Sequence, residues 1–347
     1  MAIVVSILSE QLIPNVLFIK QMASIHDSHI FLSTTKMEDD CKSSILAATL
    51  GLAKEEYKVP IIDANSPALI LEVLDNFDWP KGTPYIVNIT GGTKMMSQMA
   101  YIYFSGNQNT TIYYWPIGSE FLEQLHPVIE EIKIPTPYQL DLNTYIAAHG
   151  YDYTCEQNLS HPFSKAASLF KNVIKYGSPE NVPEIRIAKD DAYRKLDKQY
   201  FLGGWFEEWM FTFLKESLHL PDSQIAFNLK LKSRQSVRNT ESDNEIDVAF
   251  VHKNKLYIWE CKVYYSKQLR GNKIAEVIYK ISSVSQSLGL QATSLVTILS
   301  PFGFDNRRKN FLNDITKLMR IKKVFSLEDM ADEKKFISQI KTLINYG

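Results

Sequence analysis

Asp247, Glu260 and Lys262 are the residues whose types and spacing could do chemistry. They lie in Asn244–Lys262, NEIDVAFVHKNKLYIWECK. Asp247 opens an apolar run, Val248–Val251, and a polar turn, His252–Lys255, follows. A second run, Leu256–Trp259, ends in Glu260-Cys261-Lys262. Two runs rich in β-branched and aromatic residues around a short polar turn predict an antiparallel hairpin. Side chains alternate along a strand, so Glu260 and Lys262 share a face. Asp247 starts the partner strand, which brings it beside them. Two carboxylates and an ammonium then converge on one spot. Paired carboxylates suit Mg²⁺, a hard cation that takes oxygen ligands and keeps several waters. A bound ion acidifies water and offsets charge on a phosphoryl oxygen. The lysine can orient that water or stabilise the transition state. An E-x-K triplet alone occurs by chance, and a surface hairpin with solvated charges is the plainer alternative. The apolar flank Tyr257-Ile258-Trp259 argues for a buried strand instead.

A second stretch suits an anion. Asn88-Ile89-Thr90-Gly91-Gly92-Thr93-Lys94-Met95-Met96 follows the apolar strand Tyr85–Ile89 and opens a helix. Two glycines let the backbone approach a ligand. The helix behind them aims free N–H groups and its positive dipole end at that point. Thr90, Thr93 and Lys94 add donors. The Walker and GxGxxG spacings are both absent. Methionines at helical spacing are usually core filler; Met96 and Met99 read so, and Met95 stays open.

Both stretches resemble known families. The hairpin resembles the PD-(D/E)xK nuclease core, with Asp247, Glu260 and Lys262 as its signature. The resemblance implies that Asp247 and Glu260 bind Mg²⁺ or Mn²⁺, that Cys261 lends its backbone carbonyl to the metal, and that Lys262 assists phosphodiester cleavage. It also implies a glutamate on a preceding helix. Gly203-Gly204-Trp205-Phe206-Glu207 offers Glu207, with Glu208 a rival. A plain preference for acids at a helix start accounts for either equally well. The TGGTKMM string resembles the CRISPR-associated Rossmann-fold (CARF) sensor domain. So, more loosely, does Ser9-Glu10-Gln11 with Pro14-Asn15 after the first strand. That resemblance implies a cyclic-oligoadenylate pocket across a dimer axis, lined by Ser9, Gln11, Ser33, Thr34, Thr35, Asn88, Thr90, Gly91, Gly92, Thr93, Lys94 and Met95.

The elements that must position these residues alternate strand and helix over 1–140. Strands are expected at Ile3–Leu8, His29–Leu32, Val59–Ile62, Tyr85–Ile89 and Thr111–Trp115. Helices are expected at Ile13–Ile25, Asp39–Leu52, Pro67–Asn76 and from Met95. Such alternation implies a parallel α/β sheet, which gathers ligands at its C-terminal strand ends. Residues 141–195 read as a helical connector, with helices over Tyr138–Asn158 and Phe163–Tyr176. Residues 196–347 carry the helix Phe206–Leu218, a strand at Ile225–Leu231, a polar loop Lys232–Ser242 with Arg238, and the hairpin. A long helix follows, Lys267–Leu288, carrying Lys273 and Lys280 toward the site. Beyond it lie a strand, a basic knot (Arg307-Arg308-Lys309) opening a helix, and a last strand and helix. The fold class expected is α/β: a Rossmann-like CARF domain, then a PD-(D/E)xK restriction-endonuclease-like domain.

Composition bounds the rest. Of 347 residues, 45% are hydrophobic, enough for ordinary cores. No apolar run reaches membrane-spanning length, so no membrane partner is expected. Cys41, Cys155 and Cys261 are odd in number and widely spaced, which fits a reducing, cytoplasmic setting. Residues 1–140 hold 8 basic and 15 acidic side chains, whereas 196–347 hold 23 and 17. The rear third is the one a polyanion would favour.

The order CARF then PD-(D/E)xK resembles the ancillary nucleases of type III CRISPR systems. It implies a homodimeric, metal-dependent endonuclease acting on RNA and/or DNA. The expected activator is cyclic tetra-adenylate, with cyclic hexa-adenylate the alternative. A non-catalytic sensor that binds nucleic acid and a messenger-independent nuclease are the rival readings.

Overall fold

The computed structural model describes residues 2–24, 27–116, 119–189, 198–234, 245–265, 271–290, 292–300 and 306–345. The chain divides into two compact units, Met1–Leu140 with Thr144–Gly150 and Asp141–Asn143 with Tyr151–Gly347.

The first unit runs β1 (Ile3–Ile7), α1 (Ile13–Met22), β2 (Ser28–Leu32), α2 (Thr35–Asp39), α3 (Lys42–Leu50), β3 (Tyr57–Lys58), α4 (Pro67–Asn76), β4 (Tyr85–Asn88), α5 (Lys94–Ser105), β5 (Thr110–Tyr114), β6 (Phe121–His126) and β7 (Glu130–Lys133). Its sheet has the order β3-β2-β1-β4-β5-β6-β7. The first five strands are parallel, and β6 and β7 add on antiparallel. β1 is wholly buried, as a central parallel strand covered on both faces must be.

Three expectations change here. The single helix expected over Asp39–Leu52 is broken into α2 and α3 at Cys41, whose φ is +53°. A left-handed residue cannot continue a right-handed helix. The expected strand Val59–Ile62 is shorter and earlier, at β3, with Ile61 making one bridge to Ser33. The sheet also does not close at Trp115. β6 and β7 (FLEQLH and EEIK) extend it, and the charges of β7 suit the edge, where unpaired backbone must be kept from other chains.

Next along the chain come α6 (Leu142–Ala147) and then β8 (Tyr151–Glu156), which belongs to the second unit. The helix expected over Tyr138–Asn158 is thus helix over Leu142–Ala147 and strand over Tyr151–Glu156. Tyr-Asp-Tyr-Thr-Cys-Glu alternates with period two, and its burial alternates too. β8 pairs with a strand of the second unit, so that part of the expected helical connector is sheet.

The second unit continues with α7 (Phe163–Tyr176), α8 (Pro183–Lys189), a π-helical turn (Tyr200–Gly204), α9 (Trp205–Leu218), β9 (Ile225–Ser233), β10 (Glu245–His252), β11 (Lys255–Val263), α10 (Gly271–Ser287), β12 (Thr293–Leu299), α11 (Asn306–Leu318), β13 (Ile321–Ser326), α12 (Leu327–Met330) and α13 (Glu333–Asn345). Its sheet has the order β13-β12-β11-β10-β9-β8. β11, β12 and β13 are parallel, and the remaining pairs are antiparallel. The expected hairpin is β10–β11, with Val248 opposite Trp259 and His252 opposite Lys255. Lys253 and Asn254 turn it with φ of +50° and +61°. Two successive left-handed residues match the twist of the flanking strands.

Residues 235–242 of the expected polar loop, Arg238 included, lie outside the described residues, as do Lys267 and the side chains of Arg307, Arg308 and Lys309. Among the described residues no helix is long and apolar enough to cross a membrane.

One buried cluster joins Trp205, Phe206 and Trp209 of α9 to Val248, Phe250, Tyr257 and Trp259 of the hairpin. Trp259 stacks on Phe325 at 5.6 Å between centroids and donates its Nε1–H to Thr297 Oγ1 at 2.5 Å. It thereby fixes the strand that carries Glu260. Trp259→Ala is expected to lower unfolding stability by about 3–5 kcal/mol, measured by urea denaturation.

Candidate functional site

Hairpin register builds the first site. Val248 faces Trp259, so Asp247 falls opposite Glu260, one step on. Directly opposite residues share a face of the sheet, and Lys262, two residues beyond Glu260, shares it too. The Lys262 ammonium bridges the acids, donating to Asp247 Oδ2 at 3.0 Å and Glu260 Oε1 at 2.8 Å. Asp247 Oδ2 also accepts the Cys261 backbone N–H at 2.6 Å. Lys280, from α10, reaches Glu260 Oε1 at 3.2 Å. Asp247 is 5% exposed and Glu260 1%.

Electrostatics follow from that burial. Loss of water, then the charge of Glu260, pushes the Asp247 carboxyl up to about 6 against the pull of Lys262. Burial alone would lower the Lys262 ammonium, but the two carboxylates more than reverse this and hold it above the usual lysine range. Glu207, in the first turn of α9, is pushed up to about 8 by burial and then by Asp247. The adjacent Glu208 serves elsewhere: its Oε1 accepts the Ser160 backbone N–H at 2.6 Å. Sequence left the two glutamates as rivals; the electrostatics of the fold couple Glu207 to the acids. The Cys261 thiol sits in the apolar cluster, and burial keeps it protonated.

Among the described residues, no three His, Cys, Asp or Glu side chains are arranged to hold a metal. Lys262 stands between the two carboxylates, and their oxygens close on its ammonium. The donor chemistry still fits a divalent ion. Buried hard oxygens whose ionisation is resisted by one another are relieved by added positive charge.

The second set of residues gathers at the C-terminal ends of the parallel strands β2, β1 and β4, which are neighbours. Ser9 donates to the Gln11 carbonyl at 3.0 Å. Ser33 is buried and donates to Glu38 at 2.5 Å, while Thr34 caps α2 by accepting the Met37 N–H. Asn88 Oδ1 accepts the Thr90 N–H at 3.0 Å, and Thr90 Oγ1 accepts the Trp115 N–H at 2.9 Å. Thr93 caps α5 and donates to the Ala64 carbonyl at 2.6 Å. Most of these hydroxyls and amides therefore shape the loops. Thr35, Gly92 and Lys94 are exposed, and Met95 is partly buried against the core. Gly91 explains itself by space: a Cβ there would lie 2.3 Å from the Ile7 carbonyl oxygen. Gly92 needs its φ of +79°.

Asn15 was named from sequence only within the looser first-strand resemblance, not as a pocket residue. It is fully buried, donates to the Ile7 carbonyl at 2.9 Å and lies beside Gly91, so it ties α1 to the end of β1. Its signal was only a polar residue within an apolar helix face.

Residues 3–145 match the family described as the Card1 CARF domain, and residues 194–312 match the Card1-like endonuclease domain. The class is thus a CARF domain followed by a nuclease domain. Each match is to a domain: a Card1-type CARF domain over 3–145 and a Card1-like endonuclease domain over 194–312. Solved structures share the fold. Protein VC1899 from Vibrio cholerae gives a TM-score of 0.74 at 16% identity, over 99% of this chain and 98% of that one. Can2 from Sulfobacillus thermosulfidooxidans, in complex with cyclic tetra-adenylate, gives 0.70 at 21%, over 99% of both chains. A type III CRISPR defence DNA nuclease activated by cyclic oligoadenylate gives 0.53 at 18%, over 85% of this chain but 45% of that one. No curated protein matches the sequence.

The raised Glu207 group makes metal-free stability depend on pH. Its unfolded value is 4.5 and its folded value about 8, so the folded state holds the proton over that window. Stability then falls as pH rises from about 5 to 8. Glu207→Gln is expected to match the parent near pH 4 and to be the more stable near pH 9, measured by urea denaturation in chelator.

Proposed function

We propose that the chain is a metal-dependent endonuclease of the PD-(D/E)xK class, activated by cyclic oligoadenylate in type III CRISPR defence. The observation that carries the reading is the buried bridge of Lys262 between Asp247 and Glu260, with Glu207 coupled to it. Asp247 and Glu260 would hold Mg²⁺ or Mn²⁺, with the Cys261 carbonyl as a further ligand. Such an ion, when bound, supplies an acidified water and offsets charge on the phosphoryl oxygen. Lys262 orients the attacking water and stabilises charge that builds up in the transition state. Glu207 supports the acids from the start of α9. The substrate is RNA and/or DNA, which the basic balance of 196–347 favours.

The activator binds at the strand ends of the first unit. Cyclic tetra-adenylate is the preferred candidate, since Can2, which shares the fold, was solved with it. Gly91, Gly92 and the start of α5 offer backbone N–H groups to phosphate, and the exposed Lys94 adds a cation. Glu10 and Lys36 pair at 2.5 Å across the first two loops and frame the same end. The working form is a homodimer. Ligand shifts it toward the cleaving arrangement only by its differential affinity for the two.

Glu260→Ala and Lys262→Ala are each expected to lower cleavage by at least about a hundredfold. Calorimetry should find cyclic tetra-adenylate affinity unchanged in both. Normal cleavage by Glu260→Ala in Mg²⁺ or Mn²⁺ would refute the site.

A further inference from the structure

Glu260 Oε1 accepts from two ammonium groups, Lys262 at 2.8 Å and Lys280 at 3.2 Å. Without a metal, two ammoniums balance the two carboxylates: Lys262 bridges both, and Lys280 rests on Glu260 alone. Lys262 is held by two acids from within its own sheet. Lys280 comes from a different element, α10, and Glu260 is its recorded partner among the described residues. α10 is anchored by Ile274, Ile278 and Ile281, all buried, so the helix is fixed while the lysine stem stays partly exposed. Lys273, exposed, lies two turns earlier on the same side, about 10 Å along the axis. Glu276, also exposed, lies between them.

A divalent ion on Asp247 and Glu260 would compete for the oxygen both lysines use and would repel their charge. The amine released at least cost is the one with a single partner. A flexible four-carbon stem lets that amine swing while remaining beside the site. A phosphate of the substrate backbone then replaces the lost carboxylate.

We propose that Lys280 is a substrate-binding residue of the nuclease site: it rests on Glu260 in the free protein and moves to a phosphate next to the scissile bond when nucleic acid binds. This rests on the nuclease reading above.

The test compares the parent, Lys280→Gln, Lys280→Met and Lys280→Arg as full chains, with saturating cyclic tetra-adenylate. Ca²⁺ is present for binding and Mn²⁺ for cleavage. Anisotropy of labelled duplex and single-stranded DNA across a salt series gives affinity and its salt slope. Loss of one phosphate contact should reduce the slope of log K against log salt by about 0.7–0.9. Affinity should fall about tenfold at low salt, and KM should rise with kcat within about threefold. Lys280→Arg should restore both. Thermal melts identify a misfolded variant, and the Met variant keeps the apolar stem should Gln disturb packing. An unchanged slope and KM with collapsed kcat would overturn the proposal, leaving Lys280 only a support for Glu260. If the parent binds nucleic acid yet cleaves neither DNA nor RNA, the nuclease reading fails, while the salt slope still decides whether Lys280 touches phosphate.

Discussion

A carboxylate taken out of water costs several kcal/mol unless charge and hydrogen bonds return what water gave. Asp247 and Glu260 are held almost fully buried in the second unit by the ammonium of Lys262, shared between them. Much of that unit serves this contact. The left-handed turn at Lys253 and Asn254 sets the register that places the acids opposite each other. Trp259 locks the strand from its other face through Phe325 and Thr297. α9 brings Glu207 toward the acids while Glu208 turns to the Ser160 backbone.

The balance of charge at the site is incomplete by design of its neighbours. Two lysines face Glu260 and one faces Asp247, yet Asp247 and Glu207 are both pushed well above the ordinary carboxylate range. A fold selected for stability alone would replace such a cluster with apolar residues, often at no loss. Clusters with strongly perturbed acids are where proteins place chemistry. The same logic distinguishes the strand-end loops of the first unit. There the polar side chains are largely satisfied internally, and what remains for a ligand is backbone N–H at a glycine turn and a few exposed groups such as Lys94.

Local pattern made the hairpin legible. Val248–Val251 and Leu256–Trp259 flank a polar turn, and that alternation places Asp247, Glu260 and Lys262 before any coordinates are known. Thr90–Lys94 stood out by its two glycines, read as room for a ligand; in the fold Gly91 answers the close approach of the Ile7 carbonyl and Gly92 a positive φ. Choosing between Glu207 and Glu208 was beyond sequence, because adjacent helical residues differ by about 100° in facing and only packing decides which looks inward. β6 and β7 escaped because they carry charges that resemble loop, and β8 because its polar alternation was read as helix. The break at Cys41 escaped because nothing in the residue type demands a left-handed backbone. Lys280 was legible only as a nearby cation; its contact with Glu260 depends on how α10 lies on the sheet.

The most direct measurement of the central claim is the anomalous diffraction of crystals soaked in Mn²⁺. The account predicts a peak between the Asp247 and Glu260 carboxylates, with the Lys262 ammonium drawn back from their shared oxygens. Full Mn²⁺ soaking that leaves Lys262 bridging both acids, with no peak there, would contradict it.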